Sequence, residues 1–256
     1  MSQQPNILIT GAASGIGLAT ARLFVSRGWF VGLMDLNRQA LDSLATELGP
    51  GTMILEADIT DEEAVTTGLA TFCEATGGHL DVLFNCAGLI AIGRFAALPL
   101  DRQKSVVRVN FGGLVTCTWL ALPWLKRSNR GCIISMSSAS AVYGTPRLAV
   151  YSASKHAVRG FTEALNIELA SDGIHVTDIM VPYVDTPLIR EEGKIPHPVR
   201  RVGVHITPEQ VAETVYRATQ GRRVHWHIGR QMRLINTLHW LFPALRRRIF
   251  QSIAGM

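Results

Sequence analysis

The chain of 256 residues lacks the features that mark several protein classes. It has only four cysteines (Cys73, Cys86, Cys117 and Cys132), and no two form a CxxC pair. That scatter argues against a disulfide framework or a cysteine zinc site and fits a reducing compartment. No apolar run reaches the roughly 18 residues that a spanning helix needs. The opening MSQQPNILIT has no basic stretch followed by an apolar one, as a secretory signal would, so a cytoplasmic location is expected. Charged residues are sparse at 18%, whereas hydrophobic residues reach 47%, enough to fill a core and to exclude disorder as the main state. Acidic residues are missing altogether from 214–256, which holds eight arginines and carries +8. Residues 1–213 hold 17 Lys and Arg against 20 Asp and Glu, a balance of −3. The net +5 is therefore a property of the tail and gives no reason to expect whole-domain nucleic-acid binding. The eight histidines suggest no metal site: His225 and His227 share one face of an expected strand, but a third ligand is not evident.

What is present is an alternation of short β-rich runs and helical patterns. Strands are expected at Asn6–Thr10, Phe30–Asp35, Thr52–Asp58, Asp81–Asn85, Cys132–Ser137, His175–Val181 and Val224–Ile228. Helices are expected near 15–27, 38–48, 61–76, 103–127, 152–171 and 208–219. NILIT, DVLFN and GCIIS are apolar on consecutive residues, which indicates burial on both faces. Repeated strand–helix–strand order with right-handed crossovers gives an α/β fold: one doubly wound, Rossmann-like parallel sheet of about seven strands with helices on both faces.

The first strand runs into Thr10–Gly17, TGAASGIG, and then into a helix. Gly11 allows the turn, Gly15 lets backbone approach a pyrophosphate, and Gly17 lets helix and strand pack closely. Ser14 and Ile16 complete a loop whose helix end offers free N–H groups to phosphate. Asp35 closes the second strand eighteen residues past Gly17, where a carboxylate can accept both hydroxyls of an adenosine ribose and repel a 2′-phosphate. The plainer alternative is a strand-end turn aspartate. With the loop in place NAD is favoured over NADP, although Arg38 stands close by.

Tyr151 and Lys155 are one helical turn apart and share a face. A free phenol has a pKa of about 10, too high for an efficient proton acceptor near neutrality. A fixed ammonium favours the phenolate, and bringing the pKa near 7 would need roughly 4 kcal/mol of differential stabilisation, shared with other positive groups. A surface Tyr/Lys pair that merely supports a helix is the alternative.

At these residues the sequence resembles the short-chain dehydrogenase/reductase family. TGxxxGxG is followed by Asp58-Ile59 after the third strand and by Asn85, Cys86, Ala87 and Gly88 after the fourth, similar to the family's NNAG with Cys86 as a departure. Asn110 in VNFGG, the SMSS run with Ser138 thirteen residues before Tyr151, and YSASK complete the order over about residues 5–229. The resemblance implies that Tyr151 is the proton donor or acceptor and that Ser138 holds the substrate oxygen. Lys155 would also bind the nicotinamide ribose, and Asn110 would place a relay water and disturb its helix. Asp58 would face the adenine. Val184 and Thr186 would touch the carboxamide, in a segment where Val181-Pro182 stands for the family's Pro-Gly and must alter the loop backbone. Tyr183 could line the substrate pocket or pack under the loop.

The expected organisation is a catalytic domain over 1–229 with a substrate lid at 187–206, and a basic amphipathic tail at 230–256. The tail carries Leu234, Leu238, Leu241, Leu245 and Ile249 at helical spacing beside Arg246–Arg248. It either packs on the substrate side or a neighbouring subunit, or makes peripheral membrane contact. The expected activity is an NAD-dependent exchange between a secondary alcohol and a ketone, on a hydrophobic, lipid-, steroid- or retinoid-like substrate, by a homodimer or homotetramer with no metal. A nucleotide-binding sensor without turnover and a carbonyl reductase of small polar or sugar-like substrates are the alternatives.

Overall fold

Apolar residues that alternate between two cores explain the architecture. In a computed structural model describing residues 4–184, 186–190 and 206–229, Ile7 and Ile9 of the first strand enter one hydrophobic cluster and Leu8 the other. Phe84 and Leu83 divide in the same way, as do Ile134 and Ile133. Successive side chains of a strand point to opposite faces, so consecutive apolar residues require a helical layer on each side.

The strands are β1 (Asn6–Thr10), β2 (Phe30–Asp35), β3 (Thr52–Glu56), β4 (Val82–Asn85), β5 (Cys132–Met136), β6 (His175–Met180) and β7 (His225–His227). They form one parallel sheet in the order β3-β2-β1-β4-β5-β6-β7. Helices α1 (Gly15–Ser26), α2 (Arg38–Leu48) and a helix at Pro208–Ala218 cover one face. On the other face lie α3 (Glu62–Ala75), α5 (Leu114–Leu125) and α6 (Ala149–Glu168). Two further helices are α4 (Leu100–Val107) and the short α7 (Pro187–Arg190), so the one at Pro208–Ala218 is α8. Thr207 begins α8 with a reciprocal capping box to Gln210, and Pro208 takes the first position, where its missing N–H costs nothing. Phe24 of α1 meets Trp29 and Tyr216 edge to face, with centroids 5.0 and 5.5 Å apart, and locks α1 to α8.

The sequence reading placed most elements within a few residues. Five strands are shorter than expected: four end before Asp58, Ser137, Val181 and Ile228, and β4 begins at Val82 instead of Asp81. Single backbone bonds, such as Ser137 N–H to the Ile179 carbonyl at 3.0 Å and Ile228 N–H to the Met180 carbonyl at 3.1 Å, continue past the strand ends. The helix expected at 103–127 differs more. It starts at Leu100 and contains a π-helical turn at Arg108–Gly113. Taken together, Leu100–Leu125 spans 26 residues with a window of mean hydropathy 1.3, so a helix long and apolar enough to cross a membrane does exist by length and composition. It serves here as a layer of the domain, with Cys117, Ala121 and Leu125 buried against the sheet. Most of the expected lid and all of the tail from residue 230 lie outside the described residues.

The strand order reverses between β1 and β4, and the C-terminal ends of the strands flank that switch point. A crevice there is where an open α/β sheet takes its ligand.

Candidate active site

Every strand from β1 to β5 delivers a polar residue or a glycine turn to this crevice. After β1, Gly11 and Gly15 adopt left-handed φ of 70° and 51°, which side chains rarely tolerate. A Cβ on Gly11 would lie 2.7 Å from Ala87 Cα, and one on Gly17 would collide with the Gly11 carbonyl. The glycines thus bring the β1 and β4 loops and the start of α1 into direct contact. Ser14 stands at the N-cap of α1 but makes no side-chain bond to it, so no side-chain cap occupies the first-turn amides. Ile16 anchors the loop by packing on the core below.

Asp35 ends β2 half-buried. Its Oδ2 accepts from Ala13 N–H and its Oδ1 from Asn37 N–H, each at 3.0 Å. The carboxylate is therefore held against the glycine loop, with further lone pairs for a ligand. Arg38 is engaged by neighbouring acids: its guanidinium meets Asp42 at 2.9 Å and Glu56 at 3.7 Å. After β3, Asp58 Oδ1 accepts from both the amide and the hydroxyl of Thr60 at 2.8 Å, while Ile59 is buried against Gly113.

At the end of β4, Asn85 donates to the Thr118 hydroxyl at 3.0 Å; its own buried Oδ1 has no partner among the described residues. Thr10, which the sequence reading quoted without a role, accepts from the amides of Cys86 and Ala87 at 3.1 and 3.2 Å and so ties the two loops. A threonine directly before the glycine turn was the available signal. Gly88 is small for a reason visible in space: a Cβ there would sit 3.2 Å from Asn110 Oδ1 and 3.9 Å from Lys155 Nζ.

Asn110 lies in the π-helical turn, as the resemblance implied for a disturbed helix. Its side chain pairs with the backbone of Leu89, accepting from N–H at 2.6 Å and donating to the carbonyl at 2.9 Å. It also donates to Ser154 Oγ at 3.1 Å, and Ser154 in turn donates to the Tyr151 carbonyl at 2.7 Å. Ser154, inside the YSASK run, was missed because its value is its contact with a helix 44 residues away.

Tyr151 and Lys155 stand on one face of α6, with Nζ 5.7 Å from the phenol ring centroid. Lys155 donates to the Met136 carbonyl at 2.8 Å. Burial lowers its pKa to about 8. The expected lowering of the phenol by the ammonium together with other positive groups is not present in the coenzyme-free protein: burial pushes Tyr151 above its usual value, and the Ser138 hydroxyl beside it offsets only part of this. The lysine stays mostly charged at neutral pH, yet its charge does not offset the desolvation of the phenol. Ser138 follows β5 and also accepts from Ser140 N–H at 3.1 Å.

Around Tyr151 the wall is apolar, with Ile90, Ile92 and Leu148 buried together and Leu188 against them. Sequence reading did not single these out, and Tyr183, which it did, is half-buried outside that cluster. Val184 bridges to Ile206, and Thr186 lies over the glycine loop, its Cγ2 3.2 Å from where a Gly15 Cβ would be. The nitrogens of His225 face Asp178 and Glu163 at 2.9 and 3.1 Å.

The glycine cradle, the uncapped amides of α1, the anchored Asp35 and the orphaned Asn85 oxygen all fit a dinucleotide across the β1/β4 crevice. Comparison with known proteins agrees. A family model described as short chain dehydrogenase matches residues 5–195. The 3-oxoacyl-[acyl-carrier-protein] reductase FabG of Thermotoga maritima is 31% identical over 218 residues, covering 81% of this chain and 87% of that protein. Meso-2,3-butanediol dehydrogenase of Serratia marcescens is 33% identical over 181 residues, 70% of this chain and 71% of the relative. The crystal structure of a 3-ketoacyl-(acyl-carrier-protein) reductase from Brucella melitensis complexed with NADH superposes with a TM-score of 0.81 at 27% identity, covering 89% of this chain and 98% of the other. The site defines a nicotinamide-dependent oxidoreductase on a Rossmann-like sheet, and the chain belongs to the short-chain dehydrogenase family.

Proposed function

We infer that the protein is an NAD-dependent enzyme interconverting a secondary alcohol and a ketone. The observation that carries this is the convergence of Asn110, Ser138, Tyr151 and Lys155 beside the glycine loop. When bound, the dinucleotide supplies or accepts the hydride. Tyr151 gives its hydroxyl proton to the substrate oxygen in reduction and takes it back in oxidation. Its burial, which keeps the phenol protonated, suits the acid role directly; the base role needs the extra positive charge of an oxidised nicotinamide ring. Ser138 donates to the same substrate oxygen. Lys155 holds the ribose and recharges the phenol, and Asn110 keeps the Leu89 loop in place beside a relay water. Gly11, Ser14, Gly15, Ile16 and Gly17 cradle the pyrophosphate. Ile59, Asn85, Ala87 and Gly88 line the crevice between Asp58, at the adenine, and Val184 and Thr186, at the carboxamide.

NAD over NADP is supported by the Asp35 carboxylate and by Arg38 being engaged with Asp42 and Glu56. An apolar substrate flank is supported by Ile90, Ile92 and Leu148 at Tyr151; Tyr183 is a more distant lining residue. The similarity to butanediol dehydrogenase favours, as a second reading, a short substrate that fills only that flank. Self-association through α4, α5 and α6 is supported by Leu100, Trp119 and Ile167, which are 61%, 66% and 79% exposed.

The test is a panel of alcohols and ketones of increasing chain length, monitored at the absorbance of reduced nicotinamide. Turnover that rises with apolar length, prefers NADH and drops 10²–10⁴-fold in Tyr151→Phe is expected. Full activity in that variant defeats the assignment, and a rate that is highest for the shortest diols selects the second reading.

A further inference from the structure

Residues 214–256 hold eight arginines and no acid, a balance the dehydrogenase reading does not use, and Arg217 and Arg223 border a cleft at the β7 edge of the sheet, whereas the coenzyme crevice lies between β1 and β4. A cavity of about 220 Å³ opens at the outer edge of the sheet, beside β7 and the end of α8. Arg217, Arg223, Trp226, His227 and Thr214 line it. Trp226 is only 8% exposed, seated where a Cβ on Gly221 would collide with its indole. The guanidinium carbons of Arg217 and Arg223 stand 5.8 and 5.1 Å from the ring centroid. Stacking on a buried indole restrains both cations without neutralising either.

Neither guanidinium has a carboxylate partner among the described residues. The acids nearby are committed: Asp178 and Glu163 to His225, Glu163 also to Arg159, and Glu213 to Arg27. No acid lines the cavity. Two held guanidiniums suit a tetrahedral dianion, which accepts paired N–H donors. The volume lies below the roughly 300 Å³ at which ordinary small-molecule pockets begin, so it suits a headgroup and not a dinucleotide.

We propose that this cleft is a phosphoryl-binding site, distinct from the coenzyme crevice and formed by Arg217 and Arg223 on the Trp226 platform. The group is either a free phosphomonoester or the headgroup of an anionic lipid. Phosphorus NMR titration of the full chain with inorganic phosphate, repeated with the coenzyme crevice saturated by NADH, tests it. Saturable binding that survives NADH and weakens at least tenfold in Arg217→Gln/Arg223→Gln is expected, with dehydrogenase turnover and thermal midpoint unchanged. Arg217→Lys/Arg223→Lys should retain part of the affinity.

Co-sedimentation with phosphatidylcholine vesicles, with and without phosphatidic acid, separates the sources. Binding that depends on phosphatidic acid and is lost in the glutamine variant identifies the lipid, whereas phosphate binding without it identifies the soluble ester. Phosphate affinity unchanged in the glutamine variant overturns the proposal. So does a variant whose only effect is a changed mass by light scattering, which would make the cleft a contact between copies.

Discussion

Lys155 Nζ donates to the carbonyl of Met136, the last residue of β5, at 2.8 Å. The bond ties α6 to the sheet one helical turn from Tyr151 and holds an amine in a buried place. That placement costs stability whenever the amine is charged. With a folded pKa of about 8 against 10.5, the unfolded chain binds more protons between those values. Stability contributed through Lys155 therefore rises with pH across that window. Urea denaturation of the coenzyme-free protein should show the wild type gaining on Lys155→Met from pH 8 to pH 10 by up to about 1.4 kcal/mol per unit. A difference independent of pH would mean that the amine is solvated.

Asp35 serves both the loop and the ligand. Its replacement by alanine removes the acceptor of Ala13 N–H along with the proposed ribose contact. NADH affinity by fluorescence titration should fall about tenfold, or 1.4 kcal/mol, and the NADH/NADPH preference should narrow or reverse. Unchanged preference would transfer discrimination to another residue.

Two glycines in different helices should behave oppositely. Gly17→Ala drives a methyl into the Gly11 carbonyl, backbone against backbone, whereas Gly112 has nothing within 4 Å of its would-be Cβ. Gly17→Ala should lose NADH binding and several degrees of thermal midpoint. Gly112→Ala should stay within about 1 kcal/mol of wild type. Calorimetry with and without NADH distinguishes them.

Away from the site, Asp81 holds the N-terminal end of the sheet. Its Oδ2 accepts from Asn6 N–H at 3.0 Å, Ser128 donates to Oδ1 at 2.6 Å, and Asn6 Oδ1 accepts from Asp81 N–H at 3.0 Å. Asp81→Ala leaves buried donors unmatched and should cost about 3 kcal/mol in denaturant unfolding, with kcat little changed in the surviving folded enzyme.

Much of this site was legible before any coordinates. Strands such as NILIT show their burial in composition, and TGxxxGxG, Asp35 and the Tyr151/Lys155 interval are local patterns whose geometry a single turn determines. The π-helical turn at Asn110 was not legible as an element, because its side-chain partner, the Leu89 backbone, comes from another loop. The apolar wall of Ile90, Ile92 and Leu148 escaped for the same reason: its parts lie on separate segments that meet only in the fold.

Local chemistry along the chain thus determined the strand–helix alternation, the parallel sheet and the placing of Tyr151 and Lys155 on one helix face, since each depends on periodicity or on neighbours one turn away. Only the tertiary structure decided the electrostatic state of those residues. Whether a phenol is acidic or an amine keeps its charge depends on desolvation by segments distant in sequence, and here burial raises Tyr151 and lowers Lys155, the reverse of what an exposed pair one turn apart would do.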